Sequence, residues 1–270
     1  MTTDAAKALI REEGAEELVT WPGLGSVFMW TRRSPAKSTV NEDAALAVRI
    51  DERLAVLAVA DGAGGHRAGD VASRTAIECV RAAAEKVARD GSDDLVGPLL
   101  AAFDDANGAV RAGAVGAATT LLVLLVDGSV VRVLHVGDSK AVVVGGRGSI
   151  RLETIPHSPV GYGVEAGLIG TDEVVGHEDL HIVSNLVGAD DMHVGVSSPV
   201  ELRPMDRVLL ASDGLFDNVA MEEIVEGLRR GAAAGSVAGL AARCLREMEG
   251  GGHPDDLTLL VFRPERTVAP

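Results

Sequence analysis

Seven short apolar runs, each bounded by Gly, Asp, Ser or Arg, set the strongest limit on how this chain can fold. They are AALAVRI, RLAVLAVA, AATTLLVLLVD, SVVRVLHV, KAVVVGG, DRVLLAS and LTLLVFR. Runs of this length and composition are strand text. Two of the joints between them are too short for a helical crossover: DGSV at 127–130, and the GDS inside VLHVGDSKAVVV. Both are expected to close hairpins, which makes the sheets antiparallel. Helical text is confined to residues 68–113 and 221–250, where apolar positions recur three and four apart. Strand hairpins with paired helices predict an α+β layered domain.

Residues 154–206 show no clean period and are rich in Gly, Pro and His, which suggests an irregular flap near a site. The segment up to about Val40 is weakly patterned. We therefore divide the chain into an N-terminal lead, 1–37, and a single domain, 38–265, with no repeat and no linker composition inside it.

The bulk numbers exclude several function classes. Of 270 residues, 40 are Asp or Glu and 25 are Lys or Arg, for a net charge of −15. Such a surface repels nucleic acid and anionic membrane, so neither is expected as a partner. The longest apolar run, AATTLLVLLV, stops at Asp127 and is too short to span a bilayer. The first residues lack the basic start and apolar core of a signal peptide, which points to the cytoplasm. Cys79 and Cys244 have no disulfide or metal-site spacing and read as small buried hydrophobes.

The stretch AVADGAGGHRAGDVAS, residues 58–73, resembles a phosphate-binding glycine loop at first sight. It fails as one. In a P-loop starting at Gly64, Asp70 stands where the lysine belongs, and an aspartate repels phosphate. In a dinucleotide fingerprint starting at Gly62, Arg67 replaces the third glycine. What remains is Asp61 directly after a strand, beside a glycine whose carbonyl can approach a hard cation closely.

The same placement recurs. Asp138 follows a second strand and Asp213 a third, with Asp217 four residues on; Asp255 and Asp256 precede a fourth, and Glu42 and Asp43 a fifth. Strands lying side by side would bring these acids to one end of the sheets. An oxygen-only cluster without cysteine selects Mg²⁺ or Mn²⁺ over zinc. Paired ions of this kind serve phosphate-ester hydrolysis.

Taken in order, NED, VADGAGGH, GAATT, HVGDS, ASDGLFD and PDDLT resemble the protein phosphatase type 2C family of metal-dependent serine/threonine phosphatases. The resemblance runs from about residue 38 to 263. It implies a four-layer αββα sandwich of two antiparallel sheets flanked by antiparallel helices. It also implies two Mn²⁺ or Mg²⁺ ions bridged by Asp61, one completed by Glu42 and the Gly62 carbonyl, the other by Asp213 and Asp255. A third site would use Asp138 and Asp217 with Asp213. Asp43 would orient the bridging water, which attacks phosphorus directly. The expected substrates are proteins phosphorylated by a serine/threonine kinase, and the expected form is a bacterial cytoplasmic monomer.

Two positions depart from the family pattern. Many members carry a phosphate-gripping arginine four residues before the glutamate of NED; here that residue is Ser38, and Lys37, Arg33 or Arg32 could substitute. Some carry a histidine after DG as general acid; here it is Ala63, and His66 is assigned a structural role. Two other readings compete. A decayed, phosphoprotein-binding relic would keep the fold and lose the chemistry. HEDLH, residues 177–181, matches a zinc-peptidase signature, although Gly176 before it and IVSNLVG after it argue against the long helix that chemistry needs.

Overall fold

A computed structural model of the chain describes residues 7–10, 15–63, 68–113, 116–170, 173–230 and 233–265. His66 lies outside the described residues. The first half comprises β1 (Lys7–Ile10), β2 (Ala15–Trp21), β3 (Gly25–Arg32), β4 (Asp43–Arg49), β5 (Leu54–Ala63), α1 (Gly69–Asp90) and α2 (Val96–Ala112). Then follow β6 (Ala118–Thr119), β7 (Leu121–Asp127), β8 (Val130–Val136), β9 (Lys140–Val144), β10 (Ile150–Glu153) and α3 (Pro159–Glu165). The last part holds β11 (Gly195–Val196), β12 (Val200–Glu201), β13 (Arg207–Ala211), α4 (Asp213–Phe216), α5 (Met221–Arg229), α6 (Ala233–Glu249) and β14 (Leu257–Pro264).

Two antiparallel sheets result. One runs β1-β4-β5-β7-β8-β11, with β6 on β5 and β12 on β8; the other runs β10-β9-β13-β14-β3-β2. Three apolar cores show how they stack. Leu57, Val59, Leu122 and Leu124 of the first sheet meet Val27, Met29, Val143 and Leu260 of the second. On its outer face the first sheet packs against Ile77, Val80 and Leu99 of α1 and α2, while the second packs against Ile224, Leu228 and Cys244 of α5 and α6. Three cores separate four layers, helix–sheet–sheet–helix, which is the expected αββα sandwich. Each fully buried Leu or Val contributes about 1.5–3 kcal/mol, so the middle core holds the sheet ends in fixed register.

The local reasons are ordinary. In α1, Ala72, Ala76, Ile77, Val80, Ala84 and Val87 form the buried stripe, and the helix stops at Gly91, whose φ of 63° lets its N–H return to the Val87 carbonyl. The DGSV turn pairs Asp127 with Val130, leaving two residues in the loop, as expected. Among the described residues no helix is long and apolar enough to cross a membrane.

Two expectations need correction. GDS does not close a hairpin: β8 belongs to the first sheet and β9 to the second. Gly137 makes the crossing at φ 101°, and a Cβ there would stand 2.6 Å from the Thr120 side chain. The weakly patterned lead also contains structure. β3 lies inside the second sheet between β14 and β2, with Val27 and Met29 facing the middle core and Phe28 and Trp30 facing α6. A strand buried on both faces shows no alternation, so its sequence hides it.

Candidate metal centre

Strand register gathers the acids. β4 pairs with β5 so that Asp43 stands opposite Asp61. In the second sheet Ala211 pairs with Lys140 on one side and Leu259 on the other. Asp138, Asp213 and Asp255 therefore leave that sheet at a common end. Together with Asp217, at the C-terminal end of α4, they border a cleft of about 330 Å³ that Asp61, Gly62 and Lys37 also line.

Glu42 and Asp43 stand next to Gly62 and Asp61 across the β4–β5 pairing. The Gly62 N–H donates to the Glu42 carbonyl at 3.2 Å. A Cβ built on Gly69 would lie 2.5 Å from Glu42 Oε1 and 2.7 Å from the Gly62 carbonyl oxygen. Those two oxygens thus face one small space, open because residue 69 is glycine. Glu42 Oε1, Asp43 Oδ1 and Asp213 Oδ1 are buried and have no hydrogen-bond partner. Orphaned carboxylate oxygens are costly unless a cation or proton meets them.

The electrostatics agree. Burial, then the Asp43, Asp213 and Asp255 charges, push the Asp61 carboxyl well above its ordinary range. Burial followed by the Asp256 charge does the same to Asp43, against the Thr258 and Ser212 hydroxyls. Burial and the Asp213 charge raise Asp138 to about 8, while burial with Asp213 and Asp138 raises Asp217 to about 9. Asp213 rises only to about 6, because hydrogen bonds from Asp61 and the Gly214 N–H counter burial and Asp255. Among the described residues no three His, Cys, Asp or Glu side chains already close on one point as a metal shell. The donors nevertheless fit hard cations: all are oxygens, one is a backbone carbonyl, and several lack partners.

A polar scaffold, only partly visible in the sequence, holds the acids. The Asp61 N–H donates to Thr120 Oγ1 at 2.9 Å, and the Thr120 hydroxyl is 2.8 Å from that of Ser139. Ser212 donates to Asp43 Oδ2 at 2.9 Å, and Asn41 Oδ1 accepts the Asp43 N–H at 3.0 Å. Asp256 does the most. One of its oxygens accepts the Ser34 N–H, and the other accepts the Glu42 N–H and the Lys37 ammonium. Asp256 is 1% exposed whereas the Asp255 side chain is 41% exposed. Asp256 therefore fastens the 34–42 loop, and Asp255 faces the cleft.

The residues expected to grip phosphate sit differently from expectation. Lys37 lines the cleft, but its Nζ contacts Glu42, Asp255 and Asp256 at 3.0–3.1 Å. Those charges outweigh the effect of burial and hold the ammonium above its ordinary range. Arg33 is not part of the cleft lining, and its guanidinium donates to the Thr39 carbonyl at 2.9 Å. Ser38 is exposed.

The HEDLH stretch lies in turns, so no helix presents both imidazoles on one face, and the zinc-peptidase reading fails on geometry. His177 Nδ1 accepts the Asp179 N–H at 3.2 Å, while His181 reaches the cleft lining together with His253. His157 is buried, stacked 4.5 Å from His135, with its Nδ1 accepting the Gly137 N–H. In the sequence His181 stands out only through HEDLH, and His253 has no assigned role; that the first reaches the cleft depends on how residues 154–206 fold back, and the second follows from its place just before Asp255.

Comparison with known proteins agrees with this geometry. The family model described as Protein phosphatase 2C matches residues 32–248. The serine/threonine protein phosphatase PstP of Mycobacterium tuberculosis is 32% identical over 219 residues, covering 76% of this chain and 40% of that protein. The chain thus spans well under two thirds of that relative's length. The serine/threonine phosphatase stp of Listeria monocytogenes is 29% identical over 199 residues, covering 70% of this chain and 79% of that protein. A crystal structure of the catalytic domain of serine threonine protein phosphatase PstP with 2 manganese ions superposes with a TM-score of 0.72. Its identity is 30%, covering 90% of this chain and 99% of that one.

Proposed function

The chain belongs to the protein phosphatase 2C family, and from that premise we propose that it is a divalent-metal-dependent protein phosphatase acting on phosphoserine and phosphothreonine. One observation carries the reading: Asp61, Asp213 and Asp255 share a cleft with Gly62, whose carbonyl faces Glu42 Oε1 across Gly69, all oxygen donors, with Glu42 Oε1 and Asp213 Oδ1 unpartnered. The manganese-bound PstP domain supports it.

In this reading Asp61, Glu42, the Gly62 carbonyl, Asp213 and Asp255 would hold two cations, and Asp138 and Asp217, with Asp213, could hold a third. When bound, the cations supply positive charge for the phosphoryl oxygens and lower the pKa of attacking water. The protein's own groups do the rest. Asp43 anchors Ser212 through Oδ2 and keeps Oδ1 unpartnered, so Oδ1 is the atom placed to accept a proton from that water. Burial favours its protonated form, which suits a temporary proton holder. The sheets exclude solvent from beneath.

The catalytic unit takes in β2 and β3 as well as residues 38–265. Its substrates are made by a serine/threonine kinase, since that reaction class produces phosphoserine. Such kinases work where ATP is available, so we place this protein, as a monomer, in the cytoplasm. Ser38 and the engaged Lys37 keep a second reading, a binding relic with a silent site.

The test is hydrolysis of p-nitrophenyl phosphate and a phosphothreonine peptide with Mn²⁺, Mg²⁺, Zn²⁺ or EDTA, for the protein and its Asp61→Ala variant. We expect Mn²⁺- or Mg²⁺-dependent turnover that the variant loses. A folded protein silent under every metal would favour the relic.

A further inference from the structure

An ammonium has three N–H donors; Lys37 gives hydrogen bonds to two carboxylates, Glu42 and Asp256, and ion-pairs with a third, Asp255. The partners are Glu42 Oε2 at 3.0 Å, Asp255 Oδ1 at 3.1 Å and Asp256 Oδ2 at 3.1 Å. Glu42 immediately precedes β4 of the first sheet, and Asp255 comes from the segment before β14 of the second. Lys37 therefore ties together acids that arrive from different sheets.

The oxygens it does not touch are as telling. Glu42 gives Oε2 to Lys37, while its Oε1 is buried, unpartnered, and shares with the Gly62 carbonyl the space kept open at Gly69. Asp255 spends Oδ1 twice, on Lys37 and on the Asp256 N–H at 2.7 Å, so Oδ2 stays outside this set. Asp256 fixes the lysine in turn, because it is 1% exposed and already bound to the Ser34 and Glu42 N–H groups.

We propose that Lys37 is a positioning residue that clamps Glu42 and Asp255 by their far oxygens, leaving their near oxygens for divalent cations, and that it does not anchor the substrate phosphate. The proposal rests on the metal-dependent reading of this site. A lysine reaching for phosphate would have to break two hydrogen bonds and leave the Asp255 charge that its ammonium faces. It would also strip the counter-charge from three carboxylates, in a cleft that Asp61, Asp138, Asp213 and Asp217 line as well. A compact ammonium suits a three-way clamp where the flat fork of an arginine would not. Groups that orient metal ligands in this way typically contribute about 10- to 100-fold in metal affinity.

Mn²⁺ binding to the full chain, measured by calorimetry and by the electron paramagnetic resonance of unbound Mn²⁺, tests it. The proteins are the natural one, Lys37→Met and Lys37→Arg, with KM for p-nitrophenyl phosphate measured at saturating Mn²⁺. We expect K37M to bind Mn²⁺ roughly 10- to 100-fold more weakly, K37R to recover part of the loss, and KM to stay within about twofold. Unchanged Mn²⁺ affinity with a raised KM would make Lys37 the phosphate anchor and overturn the proposal. Tighter Mn²⁺ binding would make it a competing cation, with the same result. Should K37M fail to fold, the natural protein carrying ¹³Cε-labelled lysine gives the answer under Mg²⁺ titration. The Lys37 signal should keep its ion-paired shift at saturation; a move to the solvent-exposed lysine position overturns the clamp. A natural protein that binds no Mn²⁺ at all would remove the metal-centre reading itself, before any variant is compared.

Discussion

Asp255 and Asp256 are neighbours with opposite duties, and the PDD motif does not reveal this. The Asp255 side chain is 41% exposed and borders the cleft, whereas Asp256 is buried and holds two backbone N–H groups and one ammonium. Asp255→Ala should change stability by less than about 1 kcal/mol while lowering the metal-dependent rate by several orders of magnitude, because it takes away a cation ligand. By motif Asp255 is the ligand, so Asp256→Ala is the milder of the two in rate; the structure adds a cost in stability that the motif does not show. The alanine would leave the Ser34 and Glu42 N–H groups and the Lys37 charge without their acceptor, costing about 3 kcal/mol. Urea unfolding read beside p-nitrophenyl phosphate turnover separates the two variants. A stable, active Asp256→Ala protein would contradict the assignment. The acids themselves were legible because each sits at a strand end. Their hydrogen-bond duties were not, since those depend on how the 34–42 loop lies against β14.

At the scale of elements, α1 meets the site at Ser73, whose hydroxyl donates to the Glu42 carbonyl at 2.6 Å, and at a glycine. Gly69 opens the helix, and any side chain there would press on Glu42 Oε1 and the Gly62 carbonyl. An alanine ordinarily favours a helix by about 1 kcal/mol over glycine. Here overpacking against backbone should cost about 1–3 kcal/mol and narrow the space between the two oxygens. We expect Gly69→Ala to fold less stably and to need more Mn²⁺ for half-maximal activity; an unchanged metal requirement would show that this space is not a cation position. The flap gives a contrasting case. His177 lies outside the cleft lining and His181 within it, so His177→Ala should retain nearly full activity. Loss of metal-dependent turnover in that variant would reinstate HEDLH as a working motif. Much of the element order was legible, because short apolar runs and amphipathic helix text differ in period. β3 was not, because both of its faces are buried. The GDS joint was misread because a turn of a given length can link strands within one sheet or across two.

The molecule as a whole carries two opposed pH responses on either side of the β8–β9 crossing. In the cleft, burial and mutual repulsion raise Asp213 to about 6, Asp138 to about 8 and Asp217 to about 9. Carboxyls in an unfolded chain titrate near ~4. From pH 4 to 9 the folded protein therefore holds protons that the unfolded chain has released, and metal-free stability falls as pH rises. Behind the crossing, burial and then the neighbouring His135 and His193 lower His157 to about 4. An unfolded histidine titrates near ~6.5, so between those values the unfolded chain binds more protons, and stability falls as pH drops from 6.5 towards 4. Three carboxyls outnumber one histidine, so thermal melts without metal should fall from pH 4 to 9, less steeply between pH 4 and 6.5, where His157 opposes the carboxyls. Each response has its own control. Divalent cations take the place of the carboxyl protons, so saturating Mg²⁺ should raise the melting temperature more at pH 9 than at pH 6 and flatten the alkaline fall. His157→Phe should lower the melting temperature at pH 7, through lost hydrogen bonds, yet make it rise more steeply from pH 7 to pH 5, because the one group that opposes the carboxyls is gone. Equal Mg²⁺ shifts at pH 6 and pH 9 would mean that the cations do not bind at the proton-holding carboxylates, and would separate this cleft from the metal chemistry assigned to it.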